Sequence, residues 1–150
     1  VYCIRAQVRA ARRDAAGAAA DRAEGLRRTP ADELSWVARG VARQAADPKG
    51  ALGDFAEALK LNPLSREAAQ NTAATLSEYL GRPDEAVAVL DRLLGTFPDF
   101  VDARVGRAVL LARLGRRDAA HADAAAALAL DRTGPTLYRA GCAHALTAKA

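Results

Sequence analysis

The sequence predicts an all-α fold assembled from repeated helical hairpins, and three observations carry that expectation. Ala6, Gly40, Ala74, Ala108 and Cys142 follow one another at intervals of 34 residues, each small and each midway along an apolar, helix-like stretch. A second series, Ala18, Ala51, Ala86 and Ala120, runs beside it at intervals of 33, 35 and 34 residues. Each of its members leads into a leucine-ending pair: Gly25-Leu26, Ala58-Leu59, Leu93-Leu94 and Ala127-Leu128. The third observation is a regular punctuation of helix starts and stops with nothing that reads as a strand. Small residues at a fixed period mark places where helices cross closely, and a period near 34 corresponds to one helical hairpin per repeat.

The elements follow in order from that punctuation. Helices are expected over 1–12 and 15–28, the second stopped by Thr29-Pro30, because the residue before a proline is driven out of the α region. A helix over 32–46 gives way at Asp47-Pro48 to one over 48–61, with proline in the first turn where its missing N–H costs nothing. Asn62-Pro63 stops that helix, and the next is expected over 65–80. Gly81 turns the chain into a helix over 83–95, which opens on Pro83 with Asp84 and Glu85 at the positive end of the dipole. Phe97-Pro98 stops it. Helices over 99–114 and 117–130 flank the turn residue Gly115, and a last helix is expected over 136–148. The alanine run 124–127 is ordinary helix interior.

Composition bounds the function. At 150 residues the chain is one domain, or one stretch of a longer array. Its hydrophobic share is 51%, but much of that is alanine and aromatics are only 5%, so thin helical layers are expected in place of one thick core. The chain has no methionine and opens on Val1, which predicts a segment of a longer protein. No apolar run is long enough to cross a membrane as a helix, and no charged-then-apolar leader pattern opens the chain. Cys3 and Cys142 lie far apart inside helical stretches, not at disulfide or metal-site spacings. Together these predict reduced, buried cysteines in a cytoplasmic protein. The formal charge of +4 lies in the first 50 residues, and 19 of the 22 basic residues are arginine. A basic end can favour acidic partners or nucleic acid, but no aromatic stacking set accompanies the arginines, so no nucleic-acid partner is expected.

The sequence resembles the tetratricopeptide repeat family along its whole length. Trp36-Val-Ala-Arg-Gly40, Leu80-Gly-Arg-Pro-Asp-Glu-Ala86, Leu114-Gly-Arg-Arg-Asp-Ala-Ala120 and Ala58-Leu-Lys-Leu-Asn-Pro63 carry the resemblance. It implies antiparallel helix pairs stacked into a right-handed α-α superhelix, or solenoid, of about four hairpins plus one extra C-terminal helix. Repeats fall at about 1–32, 33–66, 67–100 and 101–134, with a partial repeat at 135–150. Repeat 33–65 is one residue short at its inner turn, and Arg66 restores the phase. Gln70 and Arg104 stand where Trp36 stands in the earlier repeat. A narrower resemblance covers Ala103 to Ala148, which is similar to the repeat regions that follow the catalytic domain in some bacterial serine/threonine kinases.

Catalytic chemistry is not expected in this region. The chain has no glycine-rich phosphate loop, no H-R-D or D-F-G and no H-E-x-x-H. His121 and His144 are its only histidines. His144 stands two residues from Cys142, a spacing that points helical side chains apart, so no metal or cofactor site is expected. Asp84 and Glu85 read as dipole complements, and Trp36, Tyr79 and Tyr138 read as core.

Two residue sets carry the structural and functional expectations. Arg5, Arg39 and Arg107 each precede the small crossing residue of their repeat, and Asp21, Asp54 and Asp123 each follow the small residue of the second helix by three. In the remaining repeat Ala73 and Val89 replace both members together. Charges lost as a pair imply charges that touch, so an Arg–Asp bridge is expected between the two helices of three repeats. The family's concave groove, lined by first helices, implies a peptide-binding face of Val37, Val41, Asn71, Thr75, Glu78, Val105, Val109 and Arg113. On it, Asn71 would serve a peptide backbone and Glu78 would favour a basic ligand residue. The charged clamp that chaperone-type relatives use on acidic tails is not carried over: Cys3, Gln7 and Ala38 in one register, and Val37, Val41, Thr72, Asp102 and Gly106 in the next, supply no Lys or Arg. The expected role is an interaction scaffold for a protein or peptide partner, with no membrane partner for this segment. The alternative is a kinase's non-catalytic region, used for substrate recruitment or oligomerisation. Helix 136–148 presents Leu137, Tyr138, Cys142, Ala145 and Leu146 beside few strongly polar residues (Arg139, His144 and Lys149), which predicts self-association through exposed terminal helices.

Overall fold

The computed structural model describes residues 1–148, so Lys149 and the end of the partial repeat 135–150 lie outside the described residues. The described residues form helices joined by short turns, without a strand, and the fold class is an all-α helical-repeat solenoid. The chain forms two compact units, Val1–Thr75 and Leu76 onward.

In the first unit α1 (Tyr2–Ala11) pairs with α2 (Ala15–Arg27), α3 (Glu33–Arg43) pairs with α4 (Pro48–Leu61), and α5 (Arg66–Ala74) packs on both α3 and α4. Side-chain caps set the starts. Asp14, Asp32, Asp47 and Ser65 accept from the backbone N–H groups of Gly17, Ser35, Gly50 and Ala68, and each satisfies a donor left unpaired in a first turn. The core is built from Ala38, Ala51, Ala58 and Ala68 around Phe55, which is fully buried. Gly40 makes room for that ring: a Cβ there would stand 2.5 Å from Phe55 Cε1.

The second unit holds α6 (Pro83–Thr96), α7 (Val101–Arg113), α8 (Arg117–Leu130) and α9 (Gly134–Ala148). Here α7 is the hub, packing on α6, α8 and α9, while α8 also packs on α9. Ala103, Val105, Ala108, Ala120, Ala124, Ala127, Ala140 and Ala143 fill the layers between helices, with Leu90, Leu93, Leu110 and Leu111. Alanine at these positions lets helix axes approach, as the sequence period implies.

Several boundaries differ from expectation. Helix α3 ends at Arg43, not 46, and residues 44–46 form a turn ahead of Pro48, tightened by an i→i−3 bond from the Ala46 N–H to the Arg43 carbonyl at 3.0 Å. Helix α9 begins at Gly134, not 136, with Pro135 inside its first turn. The helix expected over 65–80 is α only to Ala74 and continues as a π turn, Thr75–Tyr79. Thr72 and Thr75 hydroxyls donate to the Ala68 and Asn71 carbonyls at 2.8 and 2.7 Å, a back-bonding that bends helices.

That π turn also relocates the phase correction. At the crossing position of α5 the buried residue is Ala73, whereas Ala74 is exposed. The step from Gly40 to Ala73 is therefore short by one, and the step from Ala73 to Ala108 is long by one. The long step contains the π turn, whose wider ring absorbs an extra residue; Arg66 does not restore the phase. In α9 the fully buried small residue is Ala143, and Cys142 is half-buried, so of the two cysteines Cys3 alone is buried. Tyr79 and Tyr138 are exposed and not core, while Trp36 is half-buried under the Arg39 guanidinium, 4.6 Å from its ring centre.

Arg13, Gly81 and Gly115 share a conformation. All three have positive φ, at 63°, 62° and 73°. Nothing crowds a Cβ at either glycine, so conformation alone favours glycine there. A left-handed conformation costs a residue with a Cβ more than glycine's extra chain entropy. Arg13→Gly is therefore expected to stabilise the protein by roughly 0.5 kcal/mol, and Gly115→Ala to destabilise it by about 1 kcal/mol. Urea unfolding midpoints that shift in opposite directions check both.

Candidate functional site

The sequence-derived Arg and Asp residues meet between the helices of three hairpins. Arg5 donates to Asp21 through Nε at 2.7 Å and Nη2 at 2.5 Å. Arg39 reaches Asp54 at 3.1 and 2.7 Å, and Arg107 reaches Asp123 at 2.6 and 2.7 Å. Each is a two-pronged fork on a carboxylate, the geometry that distinguishes arginine from lysine. All three aspartates are buried. Hydrogen bonding from Arg5 holds the Asp21 carboxyl below its ordinary range, and hydrogen bonding to Asp123 pushes Arg107 above its own.

Sequence reasoning missed the second arginine at each cluster. Arg9 lies 3.3 Å from Asp21 and Arg43 3.4 Å from Asp54. Both also bridge to the aspartate that caps the following helix, Asp14 for Arg9 and Asp47 for Arg43. The signal was present as a recurring Arg-x-x-x-Arg followed by Asp-x6-Asp, at Arg5, Arg9, Asp14 and Asp21 and again at Arg39, Arg43, Asp47 and Asp54. In the second unit Arg116 occupies the capping position. There Arg104 approaches Asp123 at 3.5 Å from within α7, and Arg107 takes Asp91 of α6 as a second partner at 2.7 Å. In this way two cations and two carboxylates meet in each cluster. In the remaining repeat Ala73 is buried and Val89 half-buried; with Ala73 as its crossing residue, the position of the arginine falls to Thr72.

The peptide-face residues divide between the units. In the first, Val37 and Asn71 are half-buried and Val41 is exposed. Thr75 is fully buried, accepts from Gln44 Nε2 at 2.8 Å and ties the end of α3 to α5, so it offers nothing to a ligand. Asn71 gives one of its two side-chain amide N–H groups to the Glu67 carbonyl at 2.8 Å and keeps the other, with its side-chain oxygen, for a ligand. In the second unit Glu78 and Arg113 are exposed and paired at 2.7 Å, so Glu78 is not a lone acid waiting for a basic ligand residue. Val109 is half-buried, and Val105 is only 1% exposed and belongs to the core.

The terminal helices expose apolar residues. Ile4 and Val8 do so on α1, one turn apart, and Leu137, Tyr138 and Leu146 do so on α9. No described helix is long and apolar enough to cross a membrane. Asp84 and Glu85 stand in the first turn of α6, paired with Arg116 and Arg82 respectively.

The tetratricopeptide repeat family profile matches residues 79–145. A tetratricopeptide repeat protein from Parabacteroides merdae ATCC 43184 shares the fold at a TM-score of 0.75 and 20% identity, over 99% of this chain and 58% of that one. The MamA RS-1 ArsTM double mutant does so at a TM-score of 0.65 and 16% identity, over 99% of this chain and 93% of that one. The chain thus spans 58% of the length of the Parabacteroides merdae protein. No curated protein matches the sequence. Residues 79–145 thus match the tetratricopeptide repeat, a repeat that generally mediates protein–protein interaction, and the whole chain has the all-α helical-repeat fold of solved proteins of that kind.

Proposed function

We propose that the chain is a protein–protein interaction scaffold, without catalysis in this region, which binds a peptide or partner protein along exposed surface of its first helices. The match of residues 79–145 to the tetratricopeptide repeat carries this reading. Helical-repeat arrays present extended surfaces suited to such binding. In the first unit the accessible candidates are Val37, Val41 and the side-chain amide of Asn71. In the second they are Val109 and the Glu78–Arg113 pair, which offers charges of both signs. This reading treats the chain as one array of repeats at about 1–32, 33–66, 67–100 and 101–134 in a cytoplasmic setting, with neither nucleic acid nor membrane as partner.

The test is a peptide-array and pull-down screen of the wild type against Asn71→Ala, Val41→Asp and Val109→Asp. At least one variant is expected to lose a captured partner by tenfold or more while keeping its helical circular dichroism. If all three capture what the wild type captures, the first-helix surfaces are not where binding occurs. Light scattering at rising protein concentration separates partner binding from self-association through Leu137, Tyr138 and Leu146. The finer alternative, the non-catalytic region of a bacterial serine/threonine kinase, rests on the sequence of segment 103–148 alone.

A further inference from the structure

The chain's two histidines, His121 on α8 and His144 on α9, come together at the surface of the second unit. Their ring centroids lie 4.6 Å apart with planes tilted by 39°, and both residues are exposed. A hydrogen-bond relay orients one of them. Thr147 is buried, and its hydroxyl donates to the His144 carbonyl at 2.8 Å. A hydroxyl has one proton, so the 2.7 Å contact between Thr147 Oγ1 and His121 Nε2 is donated by the ring N–H. Neutral His121 is thereby held as the Nε2–H tautomer, with its lone pair on Nδ1. Metal-ligating histidines characteristically donate their other ring N–H in this way, which fixes the tautomer and raises ligand basicity.

We propose that His121 and His144 form a two-nitrogen site for a divalent transition-metal ion, clamping α8 to α9. Imidazole suits Zn²⁺, Ni²⁺ and Cu²⁺. Metal–nitrogen bonds of about 2.0–2.1 Å bring two ligating nitrogens to roughly 3 Å from each other, within reach of two exposed rings already in contact. Among the described residues no group of three His, Cys, Asp or Glu converges, so water completes the coordination sphere. Cys142 is two residues from His144 and half-buried, and takes no part. A bound ion holds the last hairpin closed and stabilises the folded state by mass action.

The test titrates tag-free full chain with NiCl₂ and with ZnCl₂ by calorimetry, alongside thermal melts at rising ion concentration. Wild type is expected to take up one ion per chain saturably and to melt higher as the ion is added. His121→Ala and His144→Ala are each expected to lose both effects, and their exposed positions leave the fold intact by circular dichroism. Thr147→Val keeps both rings but removes the orienting oxygen, and is expected to weaken uptake by about tenfold or more. No saturable uptake by the wild type, or one-ion uptake undiminished in the His121→Ala/His144→Ala double variant, overturns the site.

Discussion

Arg107→Ala is expected to destabilise the protein by about 3–5 kcal/mol, because it strands a buried carboxylate. Asp123 is 5% exposed and loses both prongs of its fork at once. Arg104 remains 3.5 Å away and offsets part of the loss, which places the effect at the lower end of that range. Arg116→Ala removes an equally short contact, 2.5 Å to Asp84, yet both of its side chains are at least half exposed. Exposed pairs contribute about 0–1 kcal/mol, so this variant should unfold close to the wild type. The contrast therefore isolates burial from distance. Replacing Arg107 with alanine and Asp123 with valine together should recover much of the loss, since the pair's net contribution is small once neither partner is left unpaired. Urea unfolding checks all three, and equal midpoints for the two single variants would show that the fork carries no special weight.

The second large effect concerns Phe55 and Gly40. Phe55 is fully buried and is the largest such side chain among the described residues. Phe55→Ala is expected to cost about 3–5 kcal/mol, from lost transfer energy plus a cavity that alanine-rich neighbours cannot fill. Gly40→Ala attacks the same contact from the opposite side, with its new methyl 2.5 Å from Phe55 Cε1 and 2.9 Å from Cδ1 and Cζ. Overpacking of this kind costs about 1–3 kcal/mol. The combined variant should be more stable than the sum of the two losses implies, because the cavity left by the ring accommodates the methyl that otherwise clashes. Residues in direct contact couple in this way, whereas distant ones add. Strictly additive unfolding energies would show that Gly40 and Phe55 do not share that space.

These two contacts differ in how far they could be read beforehand. Arg107 and Asp123 occupied positions that gained or lost both charges together from repeat to repeat, and that co-occurrence is visible in one chain. The small residue at Gly40 was visible as part of a period, but its reason was not, since nothing local states that a phenylalanine ring fills the space above it. The assisting arginines Arg9 and Arg43 were readable in principle, because their spacing repeats with the capping aspartates. Arg104 was not, because it replaces them from the other side of its partner.

The class of fold and its rhythm are legible in the order of residues alone. Helix boundaries depend on local chemistry, and Asp32, Asp47, Pro48, Ser65, Pro83 and Pro135 mark starts through bonds spanning only a few residues. Which side of each helix is covered depends on packing between helices. Thr75 and Val105 fall at helical spacings that suit an open face, yet each is buried by elements the local pattern does not encode. In α5 the buried crossing position is Ala73 and not Ala74, and the π turn at Thr75–Tyr79 takes up the extra residue of the step that follows, a shift of one residue that no fixed period can express. His121 and His144 lie on separate helices, and only the packing of α9 on α8 brings their rings into contact. Hydrogen bonds within one helical turn depend on neighbours along the chain, whereas burial and side-chain convergence depend on neighbours in space.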